Sequence, residues 1–319
     1  MLFRSDRHPH RDLERGDRHR VAHRHTGDGQ LVPARGRVDE SRNFSGQLDA
    51  EPIPETEPFH ILVEFFAAHH HRHLRDRHIH PQSPRPLTLN MWEAISFDHS
   101  ESRVKALVDV AAEIGVERVV LDDGWFGSRR SDRTGLGDWQ VSSDVWPNGL
   151  KPISDYIRGK GMQFGLWFEG EMVNPDSDIY RKDPDWILSE QGRVPPTWRH
   201  QLVLDLTNPE AFTYILESTS SVIKDNGISY IKWDHNRTLI DAGHQGRAAV
   251  HHQTLAIYRL FDELKRRHPG LEIESCASGG ARIDLGMADH VDRFWVSDNN
   301  DALERQHIQR WTSQFLPPE

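Results

Sequence analysis

One cysteine, Cys276, stands in 319 residues, so the chain closes no internal disulfide and its thiol content gives no argument for an oxidising compartment. Long apolar runs are lacking as well. None approaches the roughly 20 residues that a membrane helix needs, and 36% hydrophobic residues with a mean hydropathy of -0.70 point to a soluble chain without a membrane partner. Positive charge is in deficit: 39 Lys and Arg face 49 Asp and Glu, leaving a formal net charge of -10 and a pI near 6.1. Nucleic-acid binders of the whole-chain type sit above about pI 9, so that class is excluded. The first 17 residues carry charges where a secretory leader has its apolar segment, which makes the cytoplasm the expected compartment. No GxGxxG fingerprint follows any candidate strand, and the commonest dinucleotide-binding sheet is thereby removed.

Lysine is absent from residues 1–85, which hold 14 Arg, 13 Asp and Glu, and a cluster at His69, His70, His71, His73, His78 and His80. Little amphipathic period runs through this stretch, so no packed core is expected there. A His-rich tract can serve as a metal tract or a nucleic-acid arm. Metal ligands, however, need fixed geometry and hydrogen-bonded partners of their own, and a bare tract supplies neither. The expectation is a poorly ordered or aberrantly translated extension over 1–85, followed by a catalytic region over 86–319. Residues 86–319 carry the acidity, at -11.

From Pro86 onward short apolar runs alternate with helical spacing. Candidate strands are Thr88 to Glu93, Arg118 to Trp125, Gln163 to Glu169, Tyr230 to Asp234, Leu271 to Cys276 and Arg293 to Asp298, with a short run from Leu202 to Asp205. Between them, Val104, Leu107, Val108, Ala111 and Ile114 fall three and four apart, and Asn208-Pro209-Glu210 opens a long helix that reaches about Asn226. Strand alternating with helix at this spacing predicts parallel βα units. Carboxylates and tryptophans recur at the C-terminal ends of the strands, the face that carries the active site of a (β/α)8 barrel. A TIM-type α/β barrel is therefore favoured over an open sheet.

Each constellation has a plain structural alternative. Period 2 places Lys232, Asp234 and Asn236 on one strand face and Trp233 on the other; a lysine so placed favours an ionised carboxylate, suited to a nucleophile or anionic stabiliser. A solvated ion pair at a strand end accounts for the same pattern equally well. Asp298, close to Trp295, is expected to have its acidity weakened by desolvation and by a second carboxylate, as in a general acid. It could equally cap the helix predicted after Ala302. Asp122 and Asp123 are strand-end neighbours, so at most one faces the pocket unless the strand has already turned. Hydroxyl binding suits them better than metal binding, because no spaced set of further ligands accompanies them. All ten tryptophans follow residue 90; Trp92, Trp125, Trp167, Trp233 and Trp295 can stack on sugars or pack the core. Gly279 and Gly280 allow close backbone approach to a ligand. Cys276 reads as a pocket wall, since nothing nominates a histidine base for it.

Taken in order, Leu89-Asn90-Met91-Trp92-Glu93-Ala94, Leu121-Asp122-Asp123-Gly124-Trp125-Phe126-Gly127, Gly165-Leu166-Trp167-Phe168-Glu169-Gly170-Glu171-Met172, Tyr230-Ile231-Lys232-Trp233-Asp234-His235-Asn236-Arg237, Glu274-Ser275-Cys276-Ala277-Ser278-Gly279-Gly280 and Trp295-Val296-Ser297-Asp298-Asn299 resemble the motifs of the α-galactosidases of glycoside hydrolase family 36. The resemblance runs from about Pro86 to the C-terminus. It implies a (β/α)8 barrel and a retaining exo-α-galactosidase acting on terminal α-galactosides of the raffinose and melibiose type, with no metal or organic cofactor. Asp234 would be the nucleophile and Asp298 the general acid/base. Asp122, Asp123, Trp92, Trp167, Arg199, Lys232, Asn236, Cys276 and Gly279 would bind the sugar. His235 stands where the family often has methionine, and Asn300 where threonine is usual. About six barrel strands can be counted, so the barrel is expected to be incomplete at its C-terminal end. An inactive or weakly sugar-binding fragment and a galactosyl transferase of the raffinose-synthase type are the alternatives.

Overall fold

The computed structural model describes residues 71, 72, 74, 84–313, 315 and 316. Most of the extension expected over 1–85, and most of its histidine cluster, lie outside the described residues. Leu74, in a helical stretch with His71 and Arg72, is buried.

Among the described residues ten short strands follow one another: β1 (Thr88–Asn90), β2 (Arg118–Leu121), β3 (Gln163–Phe168), β4 (Met172–Val173), β5 (Leu202–Val203), β6 (Tyr230–Trp233), β7 (Gly243–His244), β8 (Arg247–Ala248), β9 (Glu272–Ser275) and β10 (Arg293–Phe294). Six of them form one sheet in the order β1-β2-β3-β6-β9-β10, and every pairing in it is parallel. Parallel strands are covered on both faces, which is why Arg118, Val119, Val120 and Leu121 are all buried. The crossovers are helical. Helix Glu101–Glu113 buries Val104, Val108 and Ala111. Helix Pro209–Asn226 starts with the Asn208 side chain accepting from the Glu210 N–H and stops at Gly227, whose φ of 62° is left-handed.

The sheet is curled. Arg118 on β2 reaches Glu272 on β9 at 2.5 Å although β3 and β6 lie between them, and neighbouring strands are about 4.8 Å apart in the pairing direction. The Arg293 side chain of β10 also reaches across to β1 and donates to Thr88 Oγ1 at 3.4 Å, though the two edge strands do not pair. The result is a half-barrel with the strand and helix arrangement of a TIM-type barrel. Its floor is charged: Arg118 is also bound to Gln163 Oε1 and lies over the Tyr230 ring, and Arg293 pairs with Glu274 at 3.2 Å. Buried pairs of this kind add little net stability, but losing one partner costs about 3 to 5 kcal/mol.

Around the sheet, Trp125, Trp139, Trp167 and Trp233 are among the largest fully buried side chains, with Phe126, Phe168 and Phe261 packed on them. Each tryptophan removes roughly 150 to 250 Å² from water, an upper limit of about 4 to 6 kcal/mol apiece. Trp125 and Trp233 are thus core residues.

The structure decides three points of the sequence reading. The first strand stops at Asn90, because Asn90 Oδ1 accepts the Trp92 N–H at 2.8 Å and turns the chain into the short helix Trp92–Ile95. The run from Leu202 belongs to no barrel strand; β5 pairs antiparallel with β4 in a separate ribbon. The helix Ala302–Thr312 is capped by Asp301, which accepts from Leu303 and Glu304, and not by Asp298. Among the described residues no helix is long and apolar enough to cross a membrane.

Gly170 follows β3 where a Cβ would stand 2.5 Å from Trp233 Cη2. Gly170→Ala is therefore expected to cost about 1 to 3 kcal/mol through overpacking, read as a lower urea midpoint; an unchanged midpoint would refute this contact.

Candidate active site

Alternate residues of the curled sheet share its concave side. Thr88 and Asn90, Val120 and Asp122, Tyr230, Lys232 and Asp234, and Arg293 and Trp295 all line one cavity of about 610 Å³. Trp92, Trp167, Asn236, Arg199 and Asp298 line it too. Asp123 also reaches the wall, since β2 ends at Leu121 and the chain has already turned.

Asp234 sits just past β6, buried, with Trp167 donating to Oδ2 at 3.1 Å and the His235 N–H to Oδ1 at 2.9 Å. Burial alone would raise its pKa, but the Lys232 ammonium and hydrogen bonds from Asn236, Cys276 and Trp167 outweigh it and hold the carboxyl below its ordinary value. It is poised as a carboxylate. Burial likewise opposes the charge on Lys232, yet Asp122 and Asp234 together keep it protonated far above the usual lysine range. Its Nζ donates to Asp122 Oδ2 at 3.0 Å, and Asn90 Nδ2 reaches the same oxygen at 2.5 Å.

Asp123 is locked by Arg129, which donates to both carboxylate oxygens at 2.7 to 3.2 Å. Burial still pushes that carboxyl upward. Arg129 also donates to Asn174 Oδ1 at 3.0 Å, and Asn174 Nδ2 donates to the His200 carbonyl at 2.7 Å. Trp198 and Gln201 exchange both backbone hydrogen bonds around Arg199 and His200, whose φ angles are 51° and 60°. Two left-handed residues between paired neighbours are the pattern of a type I′ turn, uncommon without glycine. The turn brings Arg199 to the cavity wall, with Ser278 Oγ 3.5 Å from its Nη1.

Two sequence-based expectations need correction. Asp298 is exposed, so the desolvation expected for it is missing; Trp295 Nε1 donates to its Oδ1 at 2.8 Å on the cavity rim. Cys276 is buried behind Asp234 and is not part of the lining, its thiol pushed up by burial and by that carboxylate. Gly279, with φ of 90°, closely approaches the backbone of Ser297 and Asp298, where a Cβ would lie 3.0 Å from Ser297 Cα. Its role is to seat the loop that carries Asp298.

Other wall residues were not nominated from sequence: Asn90, Phe97, Arg129, Asp132, Gln201, Asn300 and above all Glu169. Glu169 is fully buried, accepts the Asn236 N–H at 2.6 Å and Gln201 Nε2 at 3.0 Å, and is pushed up to about 8 by burial and by Asp234. A signal for it existed in β3, where alternation from Trp167 leads to Glu169. Glu171, one step further, turns the other way and is held down to about 2: burial opposes this, but Arg282 and His235 prevail.

Comparison with known proteins agrees with this geometry. The sequence profile of the Melibiase family matches residues 62–319. The alpha-galactosidase of Escherichia coli is 50% identical over 252 residues, which are 78% of this chain and 36% of that protein. Alpha-galactosidase AgaA of Geobacillus stearothermophilus is 44% identical over 239 residues, 73% of this chain and 33% of its own length. The crystal structure of this GH36 enzyme superposes with a TM-score of 0.76 at 40% identity, covering 80% of this chain and 37% of that one, and a variant of it was crystallised in complex with raffinose. The chain thus spans about a third of the length of these relatives. Since the family profile takes in the whole curled sheet and every residue lining its cavity, the chain belongs to the Melibiase family.

Proposed function

We propose that this chain forms the galactose-binding and bond-cleaving site of a retaining, exo-acting α-galactosidase that removes terminal α-linked galactose from raffinose-type oligosaccharides. The observation that carries this reading is Asp234, a buried carboxylate kept ionised by Lys232 and by a set of hydrogen-bond donors while opening into the cavity. A nucleophile requires that state. The activity named for the relatives, and raffinose in the AgaA complex, support the substrate class.

In the double displacement, Asp234 attacks the anomeric carbon while Asp298 protonates the departing glycosidic oxygen; Asp298 then takes a proton from the water that releases galactose. Exposure on the rim suits Asp298 to this exchange, because leaving group and water both arrive from solvent, and the Trp295 N–H orients its carboxyl. Asp122, Lys232 and Asn90 form a fixed acceptor and donor set for sugar hydroxyls at the depth of the cavity. Asp123, clamped by Arg129, adds a second acceptor, and Arg199 and Asn236 add donors from the far wall. Trp92 and Trp167 offer apolar faces for the C–H groups of the ring.

Asp234→Asn is expected to lower kcat on p-nitrophenyl α-galactoside by about 10⁴-fold or more with the circular-dichroism spectrum unchanged. Proton NMR of the first product should show α-galactose. The β anomer appearing first would overturn retention, and a folded wild-type chain without turnover would overturn the activity. Asp298→Asn should cost about 10² to 10⁴-fold on raffinose and clearly less on the nitrophenyl galactoside, whose leaving group needs little protonation. Equal losses on both substrates would remove Asp298 from the acid role.

A further inference from the structure

Resting on the α-galactosidase reading, we propose that Glu169 is a positioning residue for Asp234: a buried acid, wedged between the end of β6 and the turn at Trp198–Gln201, that fixes the backbone of Asn236. The geometry forms a short relay. Glu169 Oε1 accepts the Asn236 N–H at 2.6 Å, the Asn236 side chain is near enough to Asp234 to help hold its carboxyl down, and Asn236 Oδ1 accepts from Ser278 Oγ at 3.0 Å. On its other side Glu169 Oε2 accepts from Gln201 Nε2 at 3.0 Å. Movement of Glu169 therefore moves the residue that orients the nucleophile.

Burial and the charges around Glu169 favour its neutral form. Asp234 faces it from the end of β6, and Asp123 and Arg129 from the segment after β2. Arg129 is committed to Asp123 through both carboxylate oxygens, Lys232 to Asp122, and Arg237, beyond β6, to the Gln201 and Thr238 carbonyls. None of these cations is hydrogen-bonded to Glu169, and burial with Asp234 beside it pushes its carboxyl to about 8. Above that pH a second buried negative charge would appear next to the nucleophile and loosen its hold.

The test is the pH dependence of kcat/KM on α-galactosyl fluoride, whose fluoride leaves without a proton from Asp298, so that the titration of Asp298 does not enter. For the wild type, kcat/KM should fall about tenfold per pH unit above about pH 8. Glu169→Gln keeps the shape and cannot ionise; it should retain at least about a tenth of the wild-type value at pH 6 and lose the alkaline fall. Glu169→Ala should lose about 100-fold in kcat at every pH while KM stays within about threefold. A flat wild-type profile to pH 10, or an alkaline fall that survives in Glu169→Gln, overturns the proposal, and the wild-type profile alone decides if the variant does not fold. Should the folded wild type turn over no galactoside, the activity reading fails and Glu169 is judged by stability. The unfolded chain releases this proton near its ordinary 4.5, whereas the folded one holds it to about 8. The stabilisation is then complete at low pH and lost as pH rises from about 4.5 through 8. The urea midpoint of the wild type should fall relative to Glu169→Gln between pH 5 and about 8.5; a constant difference overturns the assignment.

Discussion

Four carboxyl groups, those of Asp122, Asp123, Glu169 and Asp234, are buried in one wall, and Lys232 and Arg129 are the cations hydrogen-bonded among them. Two unit charges 4 Å apart repel by about 4 kcal/mol at an effective dielectric of 20, so this wall cannot carry four negative charges cheaply. The arrangement divides the burden. Lys232 serves Asp122 directly and Asp234 at slightly longer range, Arg129 serves Asp123, and Glu169 is left to be neutral. Asp234 stays acidic because Lys232 and the donors around it outweigh its burial.

The rest of the site follows from holding those two cations still. Lys232 is aimed by β6, whose alternation turns Trp233 into the aromatic core between Phe168 and Phe261. Trp167 is held from behind as well: Trp125 Nε1 donates to its carbonyl at 2.9 Å, and Phe126 stacks on its ring at 8°. Its own N–H is thereby kept on Asp234. Arg129 reaches its place through Asn174, which ties the segment after β2 to the turn that presents Arg199. The exposed rim has no such constraint, and there Asp298 is oriented by a hydrogen bond from Trp295.

How much of this could be read from the chain differs residue by residue. Lys232 and Asp234 were legible, because a strand has a period of two and the intervening Trp233 marks the covered face. The parallel sheet was legible for the same reason: apolar runs of strand length kept returning between helical spacings, and six of them pair as expected. Glu169 lay open to the same argument from Trp167, but a single acidic residue after an apolar run reads first as a solvated strand end. Asp298 was misjudged in its burial, since proximity to Trp295 in sequence says nothing about what covers the pair. Arg129 and Gln201 had no local signal, standing on loops whose course is set by distant partners.

By itself, then, the sequence determined the parallel βα class, the faces of the strands and the motifs that resemble the family, all properties of spacing between residues near one another in the chain. Only the tertiary structure decided which charges are paired, which are buried and which are neutral. Lys232 meets Asp122 across 110 positions, and Arg118 meets Glu272 across 154. Protonation depends on distance and on exclusion of water, and both come into being only when the sheet curls.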